Sequence, residues 1–261
     1  MFGLFKKKRG VTLVLGGGSA RGLAHIGVLK VLDREKIPIQ RIVGTSMGAF
    51  IGAAYSVGVP IERMEEKAYK FSVNKLLDPT IPKMGLLAGA RLESTIRDVL
   101  ENKSFGDCKI PLAVVAADIE TGDEIVFKTG DLIQVVRASC SWPGIFNPVR
   151  LGGRLLVDGG IKDSVPTKIA KELEADYMIA VDVGFCVKKG KVENIFQMII
   201  QTVQIMGNEL NKYQAKEADI VIDVDLGDLD QISFNRAREA VEKGGAAAEL
   251  KIDQIKKDLG I

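Results

Sequence analysis

Short apolar runs rich in β-branched residues alternate along this chain with segments of helical period. Such runs are typical of buried strands, and strands that alternate with helices build a mostly parallel sheet covered on both faces. The sequence therefore predicts an α/β fold, a three-layer sandwich around a central, mostly parallel sheet. The predicted strands are Val11–Leu15, Arg41–Val43, Leu112–Ala117, Glu124–Phe127, Leu155–Val157 and Tyr177–Val183.

The helical segments carry apolar residues at spacings of three and four. They are Leu23–Glu35, Ala49–Val57, Ile61–Phe71, Leu92–Glu101, Leu132–Ala138 and Pro166–Leu173. A further stripe is expected to face the core; it comprises Val192, Ile195, Phe196, Ile199, Ile200, Val203, Met206, Leu210 and Tyr213. Because nothing resembles a linker or a repeat, we expect one domain over residues 11–261 behind a basic arm, residues 1–10.

The basic residues are concentrated at the N-terminus. Of 36 Lys and Arg against 34 Asp and Glu, four lie at Lys6, Lys7, Lys8 and Arg9, among ten residues that hold no acid. The other 251 residues therefore carry 32 basic against 34 acidic side chains, so no basic face is expected and nucleic acid is not an expected partner. The arm is either solvated, or its Phe2, Leu4 and Phe5 touch an anionic membrane peripherally.

Targeting signals are equally sparse. The apolar run that follows the charges, Val11–Leu15, is shorter than the ~7 to 15 residues of the apolar region in a signal peptide. No apolar run approaches the ~18 residues of a membrane-spanning helix. Cys108, Cys140 and Cys186 are odd in number and far apart, which is typical of reduced thiols. These features predict a cytoplasmic protein, with contact at the inner face of the membrane as the open alternative.

The chain contains a single histidine, His25, and this restricts the chemistry. Zinc sites with two or three imidazoles cannot form within one chain, and no metal or cofactor is expected. A Ser-His-Asp triad would require His25 as its base. His25 lies in the first predicted helix, whereas triads on related strand-to-helix turns take the histidine from a loop after the last strands, so we expect a structural role.

Two glycine-rich turns follow a predicted strand and open a helix. The first, Gly16–Gly22, can present backbone N–H groups at a helix N-terminus to a phosphate or a developing oxyanion. Arg21 stands where a dinucleotide-binding turn needs its third glycine. The second turn is a G-x-S-x-G in which Gly44 and Gly48 flank Ser46, the pattern that places a nucleophilic serine on a sharp, strained elbow.

A carboxylate is the remaining candidate for the base that Ser46 would need. Asp158 ends the predicted strand Leu155–Val157, and Gly159 and Gly160 allow close backbone approach there. With a reference pKa of about 3.9 it would be ionised at neutral pH, so we expect activity without a pH limb near 6.5. A turn-capping role for Asp158 is the open alternative.

Three ordered blocks together resemble the patatin-like phospholipase family, especially its bacterial members. They are G-G-G-S-A-R-G-L-A-H-I-G-V-L (16–29), G-T-S-M-G (44–48) and D-G-G (158–160), within a resemblance over roughly residues 11 to 185 that includes Arg137-Ala-Ser139. The resemblance implies a patatin-like fold and a serine lipid acyl hydrolase that cleaves phospholipid, lysophospholipid or related esters through an acyl-enzyme. One departure is Ser19, which stands where many members have glycine.

The resemblance also implies roles for individual residues. Ser46 matches the nucleophile and Asp158 its dyad partner and base, which then activates the water that releases the fatty acid. The oxyanion hole would use N–H groups of Gly17, Gly18 and Ser19, and Arg21 matches the basic residue that follows. The segment Asp78–Ala90, with Pro79, Pro82, Gly85 and Gly89, is a candidate mobile cap over the site.

Two other functions compete with this one. Ser72–Lys75 is an S-x-x-K and Lys128–Gly130 a K-T-G, as in penicillin-recognising enzymes, but no S-x-N lies between them. The alternative of a different class is a catalytically silent patatin-fold protein that senses lipid or regulates a partner; intact Ser46 and Asp158 disfavour it.

Overall fold

The structure of the protein is a computed structural model that describes residues 10–81, 84–184 and 192–261. The basic arm up to Arg9 and Cys186 lie outside these residues, so the predictions made for them stay open. Each of the six predicted strands and seven predicted helices is present, with ends shifted by up to three residues. The described strands are β1 (Val11–Leu15), β2 (Ile39–Thr45), β3 (Gly85–Leu87), β4 (Leu112–Asp118), β5 (Glu124–Phe127), β6 (Gly144–Phe146), β7 (Val149–Leu151), β8 (Arg154–Asp158), β9 (Tyr177–Asp182) and β10 (Ile220–Asp223).

Eight of these strands form one sheet in the order β10-β9-β1-β2-β4-β8-β7, with β5 also paired to β4. The five strands from β10 to β4 are parallel, whereas β5 and β8 are antiparallel to β4. The short strands β3 and β6 pair separately. The mostly parallel sheet is therefore confirmed, with an antiparallel extension at one side.

Eight helices surround the sheet in the described residues. They are α1 (Ala24–Arg34), α2 (Met47–Ser56), α3 (Ile61–Tyr69), α4 (Ala90–Leu100), α5 (Leu132–Ser139), α6 (Thr167–Glu172), α7 (Ile195–Gln214) and α8 (Ala237–Leu259). Alternate residues of β1 enter different cores: Leu13 and Leu15 join the larger one with α1 and α2, and Val14 joins the smaller one with α6. Helices thus cover both faces, which confirms the three-layer sandwich.

Helix α8 is the largest element that the sequence patterns did not predict. Half of its eight buried residues are alanine or glycine, and it packs so closely on α1 that a Cβ on Gly244 would lie 2.0 Å from the Ala24 carbonyl oxygen. A Cβ on Gly27 of α1 would lie 1.9 Å from the Val241 carbonyl oxygen. Because glycine and alanine give little hydropathy contrast, the buried stripe of α8 is weak in the sequence.

The prediction for α7 was half right. The helix forms, but its apolar stripe does not face the core: Ile195, Met206 and Tyr213 are 76%, 59% and 64% exposed. The side chains of Phe196 and Ile200 lie outside the described part. Periodicity identifies an apolar face but not what covers it, and here the buried face is the polar one. None of the helices in the described ranges combines the length and apolar content needed to cross a bilayer.

The contact between α1 and α8 yields a stability prediction with an adjacent control. Gly244→Ala should destabilise the fold by about 1 to 3 kcal/mol, because the added methyl group meets the α1 backbone and overpacks the interface. Gly245→Ala should be neutral or stabilising by up to about 1 kcal/mol, because its nearest neighbour would be 3.7 Å away and alanine favours helix. Urea unfolding measures both. Equal effects of the two substitutions would contradict the close packing.

Candidate active site

Ser46 occupies a sharp turn between β2 and α2. Its backbone angles are φ 53° and ψ −124°, a conformation that costs a non-glycine residue about 1 to 3 kcal/mol. A Cβ on Gly48 would lie 2.1 Å from the Leu15 carbonyl oxygen, and one on Gly44 would lie 2.7 Å from the Ala49 backbone nitrogen. Both flanking glycines are therefore required by close backbone approach, as the G-x-S-x-G pattern predicted.

Strand β4 brings Ser46 and Asp158 together. Thr45 of β2 pairs with Val115 of β4, and Ala116, the next residue, pairs with Asp158 of β8. The ends of β2 and β8 therefore lie at the same level along β4, one on each side of it. Gly159 permits the approach, because a Cβ there would lie 2.5 Å from the Val115 carbonyl oxygen.

The two side chains make a direct hydrogen bond. Ser46 Oγ donates to Asp158 Oδ2 at 2.6 Å, and both residues are buried. The other carboxylate oxygen, Oδ1, accepts from the Gly160 N–H at 2.8 Å. The two interpretations of Asp158 that the sequence left open are thus compatible, since one oxygen caps the turn and the other meets the serine.

Burial raises the pKa of Asp158 to about 7, against smaller opposing effects of the hydrogen bonds from Ser46 and Gly160. Desolvation disfavours the charged carboxylate, and no lysine or arginine is among the groups that shift its pKa. The expectation that Asp158 keeps a pKa near 3.9 is therefore wrong, and the reason for expecting no pH limb near 6.5 no longer holds. Sequence could not reveal this shift because it follows from burial of the strand end.

Ser139 is a supporting residue to which the sequence patterns assigned no role. Its Oγ accepts the Ser46 N–H at 2.8 Å and donates to the Val115 carbonyl at 2.6 Å. The strained backbone of Ser46 is thereby tied to β4 through a buried hydroxyl. On the preceding residue, Thr45 Oγ1 donates to the Asp163 carbonyl at 2.9 Å. These bonds hold the elbow from two sides.

His25 is fully buried in α1, and its Nε2 lies 2.7 Å from the Gly16 carbonyl oxygen. Burial lowers its pKa to about 4, so the ring is neutral at pH 7 and Nε2–H donates to Gly16. Its Nδ1 has no hydrogen-bond partner, and neither ring nitrogen bonds to Ser46 or Asp158. The location agrees with the predicted structural role, in which the ring supports the glycine turn.

The first glycine turn presents fewer free donors than the sequence suggested. Gly17 lies beside Ser46, but its N–H donates to the Ser164 carbonyl at 2.8 Å and is not available to an oxyanion. The N–H groups of Gly18 and Ser19 have no acceptor in the described part of the chain, and the same is true of Met47 at the start of α2. Ser19 adopts φ 50°, so the departure from glycine places a side chain in the left-handed region.

Arg21 does not direct its charge at the serine. Its buried guanidinium donates to the carbonyls of Val183 at 2.7 Å and Leu229 at 2.6 Å, and its backbone N–H donates to Gly18. The expected place of Arg21 in the oxyanion hole is corrected accordingly: the residue fastens the glycine turn to the segments that follow β9 and β10. A buried arginine that satisfies several carbonyls is a typical loop anchor.

Ser46 and Asp158 lie on the wall of a cavity of about 1270 Å³. Its inner lining is mainly apolar and includes Leu23, Phe50, Leu92, Ile145 and Phe146, with charged residues from α3 and α4 also among the lining side chains. Large apolar cavities with a few convergent polar groups are typical binding sites. The site therefore offers an acyl chain a place to lie next to a serine hydroxyl.

Other expected features of the site are less developed. The candidate cap Asp78–Ala90 is a folded-back segment: Asp78 accepts the N–H groups of Gly89 and Arg91, and Leu87 lines the cavity. Pro82 lies outside the described residues. Across the ranges that the structure covers, no group of three or more His, Cys, Asp or Glu side chains is placed to hold a metal ion.

Comparisons with known proteins match most of the chain to one family. A family profile described as patatin-like phospholipase matches residues 13–171. An uncharacterized NTE family protein of Mycobacterium tuberculosis is 36% identical over 180 residues, which are 67% of this chain and 49% of that protein. Patatin-like phospholipase domain-containing protein 6 of Homo sapiens is 36% identical over 182 residues, 67% of this chain and 13% of that protein. The chain thus matches about half the length of the mycobacterial relative and a small part of the human one.

Two solved structures share the fold at low sequence identity. VipD from Legionella pneumophila superposes with a TM-score of 0.63 at 14% identity, over 95% of this chain and 67% of that one. The type III effector protein ExoU gives a TM-score of 0.52 at 12% identity, over 96% of this chain and 54% of that one. At these identities the likeness concerns the fold alone.

The buried carboxyl group yields a prediction for stability against pH. The folded pKa of Asp158, about 7, lies above the unfolded value of 3.8, so this group's contribution to stability is full below pH 3.8 and is lost as pH rises to 7. Asp158→Asn, which stays neutral, should therefore gain stability over the native chain between pH 4 and 7, by on the order of 2 to 4 kcal/mol, and keep the gain above pH 7.

Thermal unfolding across pH 4 to 8.5 measures this gain, and a second aspartate provides the control. The pKa of Asp107 is lowered by hydrogen bonds from Ser104, so Asp107→Asn should lose stability at neutral pH instead. A pH-independent difference between Asp158→Asn and the native chain would show that burial does not shift the Asp158 pKa.

Proposed function

This chain belongs to the patatin-like phospholipase family, and we propose that it cleaves fatty-acyl esters of lipids with Ser46 as nucleophile and Asp158 as base. Family membership implies lipid acyl hydrolase activity. The observation that carries the proposal for this chain is the 2.6 Å hydrogen bond from Ser46 Oγ to Asp158 at the wall of a large apolar cavity. Phospholipids, lysophospholipids and related esters share the chemistry required.

The proposed reaction begins with proton transfer. Ionised Asp158 accepts the hydroxyl proton as Ser46 Oγ attacks the ester carbonyl, without an imidazole between them. A base works best when its pKa lies near the working pH, and the burial that raises the Asp158 pKa to about 7 meets that condition. The alcohol leaves with a proton returned by Asp158, and an acyl-serine remains.

The oxyanion of the tetrahedral intermediate would be held by backbone N–H groups. Gly18, Ser19 and Met47 are the candidates, because their N–H groups are unoccupied at the ends of the two turns that flank Ser46. Each donor of this kind lowers the activation barrier of acyl transfer by roughly 3 kcal/mol. Met47 replaces Gly17 in this assignment. Water activated by the same Asp158 then hydrolyses the acyl-serine.

We further propose that residues 11–261 form one catalytic domain, since β10 and α8 near the C-terminus share the sheet and the core with β1 and α1.

Cys108 and Cys140 are free thiols, which supports a cytoplasmic site of action. Contact of residues 2–9 with an anionic membrane stays a prediction, because those residues lie outside the described structure.

The dyad is tested by replacing each member. Ser46→Ala and Asp158→Asn should each lower hydrolysis of a dispersed short-chain ester by at least about 1000-fold, because each removes a group that acts in the chemical step. His25→Gln is the matched control and should stay within a few-fold of the native rate. Equal activity of Ser46→Ala and native protein would refute the dyad, and absence of activity in all proteins would favour a lipid-sensing role.

The acidic limb of the pH profile identifies the base. The rate should rise with pH and level off above about 7, because only ionised Asp158 can accept the proton. An imidazole with its ordinary pKa near 6.5 would produce a similar limb, so the profile is measured in His25→Gln as well. Persistence of the limb in that variant assigns it to Asp158, whereas its disappearance would assign it to His25.

A further inference from the structure

Helix α7 is attached to the protein through its polar face. Gln204 Nε2 donates to Gln231 Oε1 at 3.1 Å, and Asn211 Nδ2 donates to Asp182 Oδ1 at 3.0 Å. Gln214 Oε1 accepts the N–H group of Ser164 at 3.1 Å. These glutamine and asparagine residues recur at helical spacing, so one stripe of amide side chains fixes the helix against the body.

The opposite face of α7 is apolar and open to solvent. We call it the outer face of α7; its exposed members are Ile195, Met198, Ile199, Ile205, Met206, Leu210 and Tyr213. A helix that lies on a protein in water normally turns such a stripe inward. Large exposed apolar patches mark surfaces that meet another apolar phase or a partner.

Helix α7 borders the catalytic cavity through its inner side, while the named residues of its outer face lie outside the cavity lining. Gln204, on the inner side of α7, lines the cavity. Ile232, next to the hydrogen-bonded Gln231, lines the cavity and is also 66% exposed. Val73 and Leu77 are likewise cavity-lining and exposed. Exposed apolar side chains therefore lie at the rim of the cavity, and the bond between Gln231 and Gln204 places one of them, Ile232, close to α7.

We propose that the outer face of α7 is a docking surface for a lipid bilayer, on which the helix lies flat at the level of the headgroups. The proposal deepens the proposed function and rests on it for the nature of the substrate. An acyl chain could then pass from the bilayer to Ser46 along apolar surface without crossing water, which a protein partner on this face would not provide.

The charges of α7 fit a bilayer surface. The helix carries two charged residues, Glu209 and Lys212, which pair with each other at 2.8 Å, so it presents no net charge to anionic headgroups. At its C-terminal end Lys216 lies over the Tyr213 ring, 5.4 Å from the centroid. An aromatic ring next to a cation is typical of residues at the level of lipid headgroups. Twenty residues give a contact about 30 Å long.

The test compares two triple variants of the full chain on vesicles of phosphatidylcholine and phosphatidylglycerol. Ile199→Gln/Met206→Gln/Leu210→Gln removes apolar side chains from the outer face of α7 and keeps good helix formers. Ile119→Gln/Leu250→Gln/Ile261→Gln removes three exposed apolar residues that do not line the cavity. Co-sedimentation is measured at about 1 M salt, where a Debye length of about 3 Å suppresses attraction through the basic arm.

The native chain and the control variant should sediment with vesicles within about twofold of each other, and the α7 variant at least about tenfold less. Circular dichroism and unfolding temperature verify that both variants fold. Equal sedimentation of the two variants would overturn the proposal. The proposal would also be overturned if the native chain did not bind vesicles but formed dimers that the α7 variant does not form, because a second copy would then cover the outer face of α7.

Ser46→Ala separates this proposal from the proposed function. It should bind vesicles as the native chain does, because it leaves α7 unchanged. Vesicle binding by a native chain that hydrolyses no ester would refute the proposed function and support docking. Hydrolysis of dispersed ester by a chain that does not bind vesicles would refute docking and leave the dyad intact.

Discussion

The hydrogen bond between Ser46 Oγ and Asp158 Oδ2 is the interaction on which the rest of the site depends. It exists because β2 and β8 flank β4, and the residues at their ends pair with two adjacent residues of β4, Val115 and Ala116. Both turns approach neighbouring backbone so closely that no side chain would fit at Gly44, Gly48 or Gly159. Sheet order, strand register and three glycines thus act together to place a hydroxyl 2.6 Å from a carboxylate.

The arrangement stores unfavourable energy that the surrounding fold has to offset. Ser46 has a strained backbone, and Asp158 is a carboxyl group in an apolar environment. Both features suit the proposed chemistry, because the sharp turn directs the Ser46 hydroxyl toward Asp158 and burial brings the pKa of the base to the working range. Ser139 helps to hold this conformation, because its hydroxyl bonds to the Ser46 N–H and to the Val115 carbonyl.

The sequence predicted the parts of the fold that depend on local pattern. Gly44–Gly48 indicated the elbow, and Asp158 indicated the strand end that meets it. The position of His25 in the first helix was also predicted. The sequence did not predict α8, half of whose buried residues are alanine or glycine, or the exposure of the apolar stripe of α7. Neither tertiary coverage of a helix face nor the burial that shifts a pKa is encoded in periodicity.

The same limit explains why the roles predicted for residues of the first glycine turn, Gly16–Gly22, were partly wrong. Glycine content indicated backbone donors, but which N–H groups stay free depends on contacts from distant segments, such as the Ser164 carbonyl that binds Gly17. Likewise, Arg21 is anchored by carbonyls of Val183 and Leu229, more than 160 positions away. Motifs identify the residues at such a site, and long-range packing assigns their roles.

The most direct test of a Ser46 nucleophile activated by Asp158 is the rate of covalent labelling by a fluorophosphonate, followed by intact and peptide mass spectrometry as a function of pH. We expect one adduct per chain, located on Ser46, with a labelling rate that rises to a plateau near pH 7 and is lost in Asp158→Asn. An adduct on another residue, or labelling of Ser46 at an unchanged rate in Asp158→Asn, would contradict it.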